Sequence, residues 1–302
     1  MPELPDVQLY IHALEPRVVG ATLEKIRLAS PFLLRSVDPP LDHAENRRIL
    51  ALRRLGKRIV FELEDDLFLV FHLMIAGRFR WRPRGARIPG KLGLAAFDLS
   101  SGALVLTEAA SMKRASLHLV RGAAKLREQD PGGIEVLECS LEEFRLALAR
   151  ENHTLKRSLT DPRLFSGIGN AYSDEILHRA RLSPMKQTRH LDEAEVEALY
   201  AAVRDVLEDW CRRLREETGD GFPEKVTAFR PGMAVHGRYR EPCPDCGSRV
   251  QRIRYAANEC NYCAKCQTGG RLLADRSLSR LMKNDWPRTL EELEEIRTER
   301  SL

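Results

Sequence analysis

The chain has 302 residues, 43% of them hydrophobic and 31% charged, with a formal net charge of +5. That make-up belongs to a soluble globular protein large enough for two well-formed cores. Its longest apolar run, Leu67 to Gly77, is interrupted by His72 and too short to cross a bilayer. Prolines and acids also stand near the N-terminus where a signal peptide needs basic and then apolar residues, so a cytoplasmic protein is expected and a membrane partner is not.

The chain opens Met1-Pro2-Glu3-Leu4-Pro5-Asp6. Removal of the initiator Met leaves Pro2 with a free secondary amine. Such an amine attacking an aldehyde-like carbon gives an iminium, an electron sink that carries its charge without an added proton. The reference pKa of an α-amino group, about 7.7–8.0, leaves part of it unprotonated near neutral pH, and Glu3 is placed to act as acid or base. Proline and acids equally favour a helix start, and the hexapeptide alone does not separate the two readings. Val7, Ile11 and Leu14 recur at helical spacing and predict a helix over Pro5–Leu14, closed near Pro16. Its positive end would lie beside Pro2 and disfavour a protonated amine there.

Strand-like segments follow at Thr22–Leu28, Arg48–Leu55, Arg58–Glu64, Leu67–His72, Gly77–Arg82, Leu94–Leu99 and Ala103–Thr107, separated by turn residues such as Asp65-Asp66 and Ser100-Ser101-Gly102. Many short strands without helices between them point to an antiparallel sandwich or barrel. Lys57 stands at a strand entry and by itself reads as a solvated surface charge. From Leu67 to Phe97 there is no Asp or Glu, while Arg78, Arg80, Arg82, Arg84, Arg87 and Lys91 all fall within that stretch. Such a distribution fits a polyanionic partner better than the modest net charge does.

Asp130-Pro131-Gly132-Gly133 is the expected domain boundary. Beyond it the pattern is helical: Leu141–Arg150, Thr154–Leu159, Ala171–Ala180 and a long amphipathic stretch over Asp192–Glu217, whose stripe of Val196, Leu199, Val203, Val206, Trp210 and Leu214 reads as core. Gly167-Ile168-Gly169-Asn170 sits between helical segments. It either frees backbone N–H groups to meet a phosphate at the next helix N-terminus or is a tight interhelical turn. Cys243-Pro-Asp-Cys246 and Cys263-Ala-Lys-Cys266, sixteen residues apart, supply four thiolates at the spacing of a closed tetrahedral zinc site. Cys260 reads as non-ligating, because pairing it with Cys263 would leave Cys266 without a partner. Twelve Lys or Arg against five Asp or Glu lie between Arg230 and Arg288. The last segments read as a basic helix (Leu272–Lys283) and an acidic one (Leu290–Arg297).

Taken together, Pro2-Glu3-Leu4-Pro5, Gly56-Lys57, Gly167-Ile-Gly-Asn-Ala-Tyr-Ser-Asp-Glu175, His236-Gly237-Arg238 with Glu241-Pro242-Cys243, and Tyr262-Cys263-Ala-Lys-Cys266-Gln267 occur in one order over about residues 2 to 270. In this the chain resembles the formamidopyrimidine-DNA glycosylase/endonuclease VIII (Fpg/Nei) family. The resemblance implies an α+β architecture: an N-terminal antiparallel β-sandwich catalytic domain (1–131), a helix–two-turn–helix domain (132–230) and a zinc-ribbon finger (231–270), here followed by a C-terminal extension (271–302). It implies damaged DNA in a cleft, one structural zinc ion, no small-molecule cofactor, and a monomer working at the nucleoid. Pro2 would attack C1′ of a damaged nucleoside and hold the sugar as an iminium, Glu3 would assist ring opening, and Lys57 would contact phosphate and donate a proton in β-elimination. Lys156 and Asn170 match the family's phosphate-binding positions, and Lys91, Lys113 and Arg114 are further expected DNA contacts. The alternative is a non-enzymatic lesion-binding protein of the same fold.

The chain departs from the family pattern at several positions, mildly at Asp6, where Glu is usual. Asn258 stands where the finger arginine is expected; a neutral amide can hydrogen-bond a phosphate but cannot neutralise it, so cleavage is expected to stop at β-elimination. Met74-Ile75-Ala76-Gly77 replaces a methionine-bearing turn, and no aromatic residue follows Arg114 to act as a wedge in a kinked duplex. Past Gly270, Arg271, Arg276, Arg280 and Lys283 either extend the DNA-binding surface or belong to a helix packed back through Leu272, Leu273, Leu278, Leu281 and Met282.

Overall fold

The computed structural model describes residues 1–255, 258–275 and 287–299. The chain forms two compact units, Met1–Gly133 with Glu208–Ala228, and Ile134–Leu207 with the chain from Phe229 onward.

In the first unit, helix α1 (Leu4–Val18) starts directly after Glu3, and its apolar stripe of Val7, Tyr10, Ile11, Leu14 and Val18 is buried in the core. It continues one residue pair past Pro16, where a stop is expected. The missing N–H falls in the last turn, and Arg17 Nη1 donates there to the Ala13 carbonyl at 2.6 Å. Eight strands follow: β1 (Thr22–Leu28), β2 (Arg47–Leu55), β3 (Arg58–Leu63), β4 (Leu67–His72), β5 (Gly77–Arg82), β6 (Gly93–Leu99), β7 (Gly102–Glu108) and β8 (Ser116–Arg121). They pair antiparallel in the order β5-β7-β6-β1-β2-β3-β4-β8, so β5 and β8 are the edges. The predicted strands all form; β8 is an addition, marked in the sequence only by Leu117 and Leu119 alternating into the core.

Between β1 and β2 the ladder holds at two pairs alone, Thr22↔Arg48 and Leu23↔Arg47. The sheet therefore folds into two leaves that stack on each other. Phe71 of β4 meets Phe97 of β6 at 5.0 Å and Phe79 of β5 at 5.2 Å between ring centroids, edge to face across the leaves. Such pairs add to the area they bury. A short helix, α2 (Ala123–Arg127), closes this part of the chain.

In the second unit, α3 (Leu141–Ala149) begins at a capping box in which Ser140 Oγ accepts from the Glu143 N–H and Glu143 Oε2 accepts from the Ser140 N–H. Then come α4 (Leu155–Thr160), α5 (Asn170–Arg179) and α6 (Glu193–Thr218), the last burying its whole predicted stripe; the boundary between units falls inside α6. Strands β9 (Gln251–Tyr255) and β10 (Asn258–Tyr262) form a hairpin followed by α7 (Ala264–Thr268).

Leu272–Asp275, predicted as the start of a basic helix, is not helical. Leu273 is buried with Ile253, Tyr262 and Ala264, and Leu272, Leu290 and Met185 pack on them. Apolar burial on the hairpin thus decides the local path. Residues 276–283 of that expected helix, with Arg276, Arg280 and Lys283, lie outside the described residues. The acidic helix forms as α8 (Leu290–Glu299).

Candidate active site and metal centre

Pro2 is buried at the head of α1, Glu3 is 2% exposed and Asp6 1% exposed. Asp6 Oδ2 accepts the Glu3 N–H at 2.9 Å in a capping-box arrangement, which ties the first residues to the helix. With Met1 still in place, its half-buried amine has its pKa lowered, by burial first. Arg78 and Lys57 push in the same direction, against the opposing fields of Glu3 and Asp6. The amino terminus, Glu3 and Lys57 are therefore electrostatic neighbours, joined by Arg78. That arginine is held by carbonyls: Nε donates to Val226 O at 2.6 Å and Nη1 to Gly77 O at 2.6 Å.

Lys57 projects from the β2–β3 turn, made possible by Gly56 in the left-handed region at φ +60°. The next residue, Arg58, pairs with His72 across the β3–β4 ladder. Burial, then Arg58, Lys57 and His118, push the His72 pKa down to about 4, and His118 is lowered by burial and by Arg58 and Arg35. Both imidazoles are thus neutral near pH 7, each with one ring N–H able to donate to an anion. Neither histidine stands out in the sequence as a functional residue; the available signal was the alternation of β4 and β8.

The β7–β8 loop carries Lys113 and Arg114. It is braced by Glu108, 1% exposed, whose Oε2 accepts from the backbone N–H groups of Arg114 at 2.9 Å and Ala115 at 3.1 Å. Lys113 Nζ donates to the Glu108 carbonyl. Met112, 66% exposed, lies against Arg114 at 3.7 Å, and Ile75 in the β4–β5 turn is 55% exposed. The loop therefore presents a large apolar side chain before Arg114. Lys91 is exposed in the loop before β6.

In the second unit, Gly167 at φ +84° turns the chain into Gly169, the residue before α5, and Asn170 opens the helix. Asn170 Nδ2 donates to Glu259 O at 2.9 Å. Lys156 is 8% exposed and its ammonium is already matched, donating to Asp174 Oδ1 at 2.5 Å and Asn170 O at 2.6 Å. Both line a cavity of about 580 Å³ with Thr154, Arg157 and Cys260. Asp174 organises the surroundings: its Oδ2 meets His236 Nδ1 at 2.8 Å and accepts the Asn261 N–H at 3.1 Å. Glu175 accepts the N–H groups of Ala234, Val235 and His236 at 2.6, 2.9 and 2.9 Å. These two carboxylates clasp α5 to the turn before the cysteines and to β10; the sequence shows the residues but not the clasp. Asn258 enters through its backbone pairing with Tyr255, and its side chain lies outside the described residues.

Cys243, Cys246, Cys263 and Cys266 bring their sulfurs within 4.8 Å of one another. The close pairs are 3.4 Å (Cys246–Cys263) and 3.9 Å (Cys243–Cys266). A tetrahedron of sulfurs about 2.3 Å from zinc has edges of about 3.8 Å, so the set fits a metal ion. Without a cation, the Cys263 pKa is raised to about 11, by burial first and with smaller contributions from Cys246 and the Cys243 charge. His178 Nε2 lies 3.2 Å from Cys243 Sγ, placed to donate to a ligating thiolate. Cys260 is buried outside this cluster and hydrogen-bonded to Asp174, which agrees with a non-ligating role.

The formamidopyrimidine-DNA glycosylase N-terminal domain model matches residues 1–134, and the formamidopyrimidine-DNA glycosylase H2TH domain model matches residues 135–218. The chain belongs to the formamidopyrimidine-DNA glycosylase (Fpg/Nei) family. It is similar to the formamidopyrimidine-DNA glycosylase of Heliobacterium modesticaldum, 34% identical over 281 residues that cover 88% of this chain and all of that one. The crystal structure of the Fpg protein from Thermus thermophilus matches with a TM-score of 0.74 at 33% identity, covering 88% of this chain and 98% of that one. A complex of Lactococcus lactis Fpg with an oxidised-pyrimidine-containing DNA matches with a TM-score of 0.76 at 26% identity, covering 88% and 100%. The Fpg/Nei chain has the antiparallel sheet, the helical H2TH part and a cysteine cluster consistent with a zinc finger.

Proposed function

We propose that the chain is a DNA glycosylase and β-lyase of base excision repair that works through the Pro2 amine. The observation that carries this is Pro2 buried at the head of α1 with buried Glu3 beside it, and with the charges of Lys57 and Arg78 reaching the Met1 amine that precedes it. After loss of Met1 the unprotonated Pro2 nitrogen attacks C1′ of the damaged nucleoside. The glycosidic bond breaks and the base leaves with the electron pair, taking a proton. Glu3 supplies a proton to the ring oxygen as the sugar opens, leaving an iminium at C1′. That iminium accepts the electrons released when the Glu3 carboxylate, having given up its own proton, takes one from C2′. The 3′ phosphate then departs, and Lys57 provides the proton it needs.

Damaged DNA is the partner this chemistry requires, and the target base must leave the stack to reach the amine. Lys91, Lys113, Arg114 and Asn170 are assigned to its backbone, with His72 added as a neutral N–H donor. Lys156, its charge matched by Asp174, is assigned to holding Asn170 in place. Bound by Cys243, Cys246, Cys263 and Cys266, one zinc ion would supply the positive charge that lets four thiolates share the finger.

Borohydride reduction on an abasic-site oligonucleotide tests the reading. The processed chain should form a covalent adduct that maps to Pro2, and Pro2→Gly should lose it. No adduct across a lesion panel, or equal trapping by the variant, would sink the proline mechanism. On the same gels Asn258 predicts products ending at β-elimination; a clean δ-elimination product overturns that assignment.

A further inference from the structure

Edge strand β5 carries arginine at every second position. Phe79 points into the core, so Arg78, Arg80 and Arg82 share the opposite face, spaced about 6.7 Å per two residues along the strand. The loop 83–92 closes over that face. It is tied by Arg27 Nη2 donating to Ala86 O at 2.8 Å, by the Gly93 N–H to Pro89 O at 2.6 Å, and by the Glu108 N–H to Leu92 O at 2.8 Å. Between loop and strand lies a cavity of about 530 Å³. Arg78, Arg80, Arg82 and Arg87 line it over an apolar floor that includes Leu92 and Val105, with no Asp or Glu in the lining.

One carboxylate offsets this charge from the side: Glu224 bridges Arg80 and Arg82, accepting from Arg82 Nη1 at 2.7 Å. Arg87 has no hydrogen-bond or ion-pair partner among the described residues. Four guanidiniums against one carboxylate leave a net positive chamber, and none of Arg80, Arg82 or Arg87 is used by the chemistry at Pro2. Guanidinium forks match paired oxygens on one phosphorus better than a point charge does. Arg78, whose charge reaches the Met1 amine, also lines the cavity; the Arg78 end of the chamber is therefore the one electrostatically linked to the chain's start, and Arg82 and Arg87 lie further along it.

We propose that this arginine-lined cavity is a phosphate subsite, taking a phosphodiester of the bound DNA strand beyond the reacting nucleotide. The proposal rests on the DNA reading of the site but is tested apart from its chemistry. Arg87→Ala is the variant of choice, because that side chain is exposed and supports no internal contact. Arg84→Ala is the control: it lies in the same loop, pairs with Glu24, and does not line the cavity.

Binding to a duplex bearing an uncleavable tetrahydrofuran abasic analogue is measured across a salt series. R87A is expected to lower the slope of log K against log salt by about one, the signature of one lost phosphate contact. R84A should leave the slope alone, and R87A should keep the wild-type single-turnover rate at saturating DNA. An unchanged R87A slope, or an equal loss in R84A, overturns the proposal. So does calorimetric binding of inorganic pyrophosphate that R87A abolishes while the duplex slope stays intact, since the ligand would then be a free phosphate. A lower saturated rate without a slope change also overturns it, by placing the reacting nucleotide itself in the cavity. Borohydride trapping is scored separately, so failure of the Pro2 chemistry does not register as failure of the subsite.

Discussion

His72 shows how a single residue's surroundings become a measurable pH dependence. Burial beside Arg58, Lys57 and His118 holds its folded pKa at about 4, below the ordinary value of 6.5. Between those values the unfolded chain binds the extra proton, so the stabilisation is complete above 6.5 and is lost as pH falls through 4. His72→Gln should remove about 1–3 kcal/mol of that dependence. Urea midpoints at neutral and mildly acidic pH measure it, and matching curves for variant and wild type would contradict the assignment. Met112 is a second single-residue case. Its exposed thioether on a loop braced by Glu108 suits insertion between bases where the expected aromatic is absent. Met112→Ala should weaken binding to a lesion-bearing duplex roughly tenfold, the lower range for burying a Met side chain, while single-stranded abasic DNA, with no stack to hold open, should bind as before. Fluorescence anisotropy with the two substrates separates these outcomes, and parallel losses on both would rule out a wedge.

Among the elements, α5 and β10 depend on one buried carboxylate. Asp174 answers Lys156, His236 and the Asn261 N–H together. Asp174→Ala strands the Lys156 ammonium in a nearly dry site, and breaking a buried pair in this way costs about 3–5 kcal/mol. Chemical denaturation should show that loss, and Lys156→Met in the same background should restore part of it; no restoration would mean that the pair is not the source. The strands around these sites were legible because turn residues punctuate them, with alternation at Phe79 in β5 and a short continuous apolar run around Leu69 in β4. β8 escaped because its six residues adjoin a loop without Gly or Pro at its near end. The four cysteines were legible as a metal-ligand spacing and Pro2 with Glu3 as a chemical type, whereas Lys57 alone read as a surface charge and drew its expected role from the family resemblance. The Asp174 clasp, the neutral histidines and the Glu108 brace were not, because each depends on residues that meet only after the chain has folded. The C-terminal path was misread at Leu272 and Leu273: helical spacing marks apolar residues but does not say which surface buries them, and here it is the finger hairpin.

Across the whole molecule, the four-cysteine cluster adds a part that could hold a metal ion to a chain whose first unit has its own core. One zinc per chain is expected by elemental analysis. Chelation should lower the melting temperature of the second unit and weaken the near-UV signal of buried Tyr262, because binding free energy at such a site is folding free energy. A melting curve indifferent to chelator would show that the cysteines hold no structural ion.

The arginines of β5 have one more consequence, for how the chain behaves at high concentration. β5 is an edge of the eight-stranded sheet among the described residues, and a sheet edge is a template on which another chain can add a strand. Closely spaced like charges along Arg78, Arg80 and Arg82 resist such pairing, since a second copy would have to set its own row against them. The same side chains that favour a polyanion therefore also discourage self-association, and a variant stripped of all three should aggregate through β5 even where its core is intact.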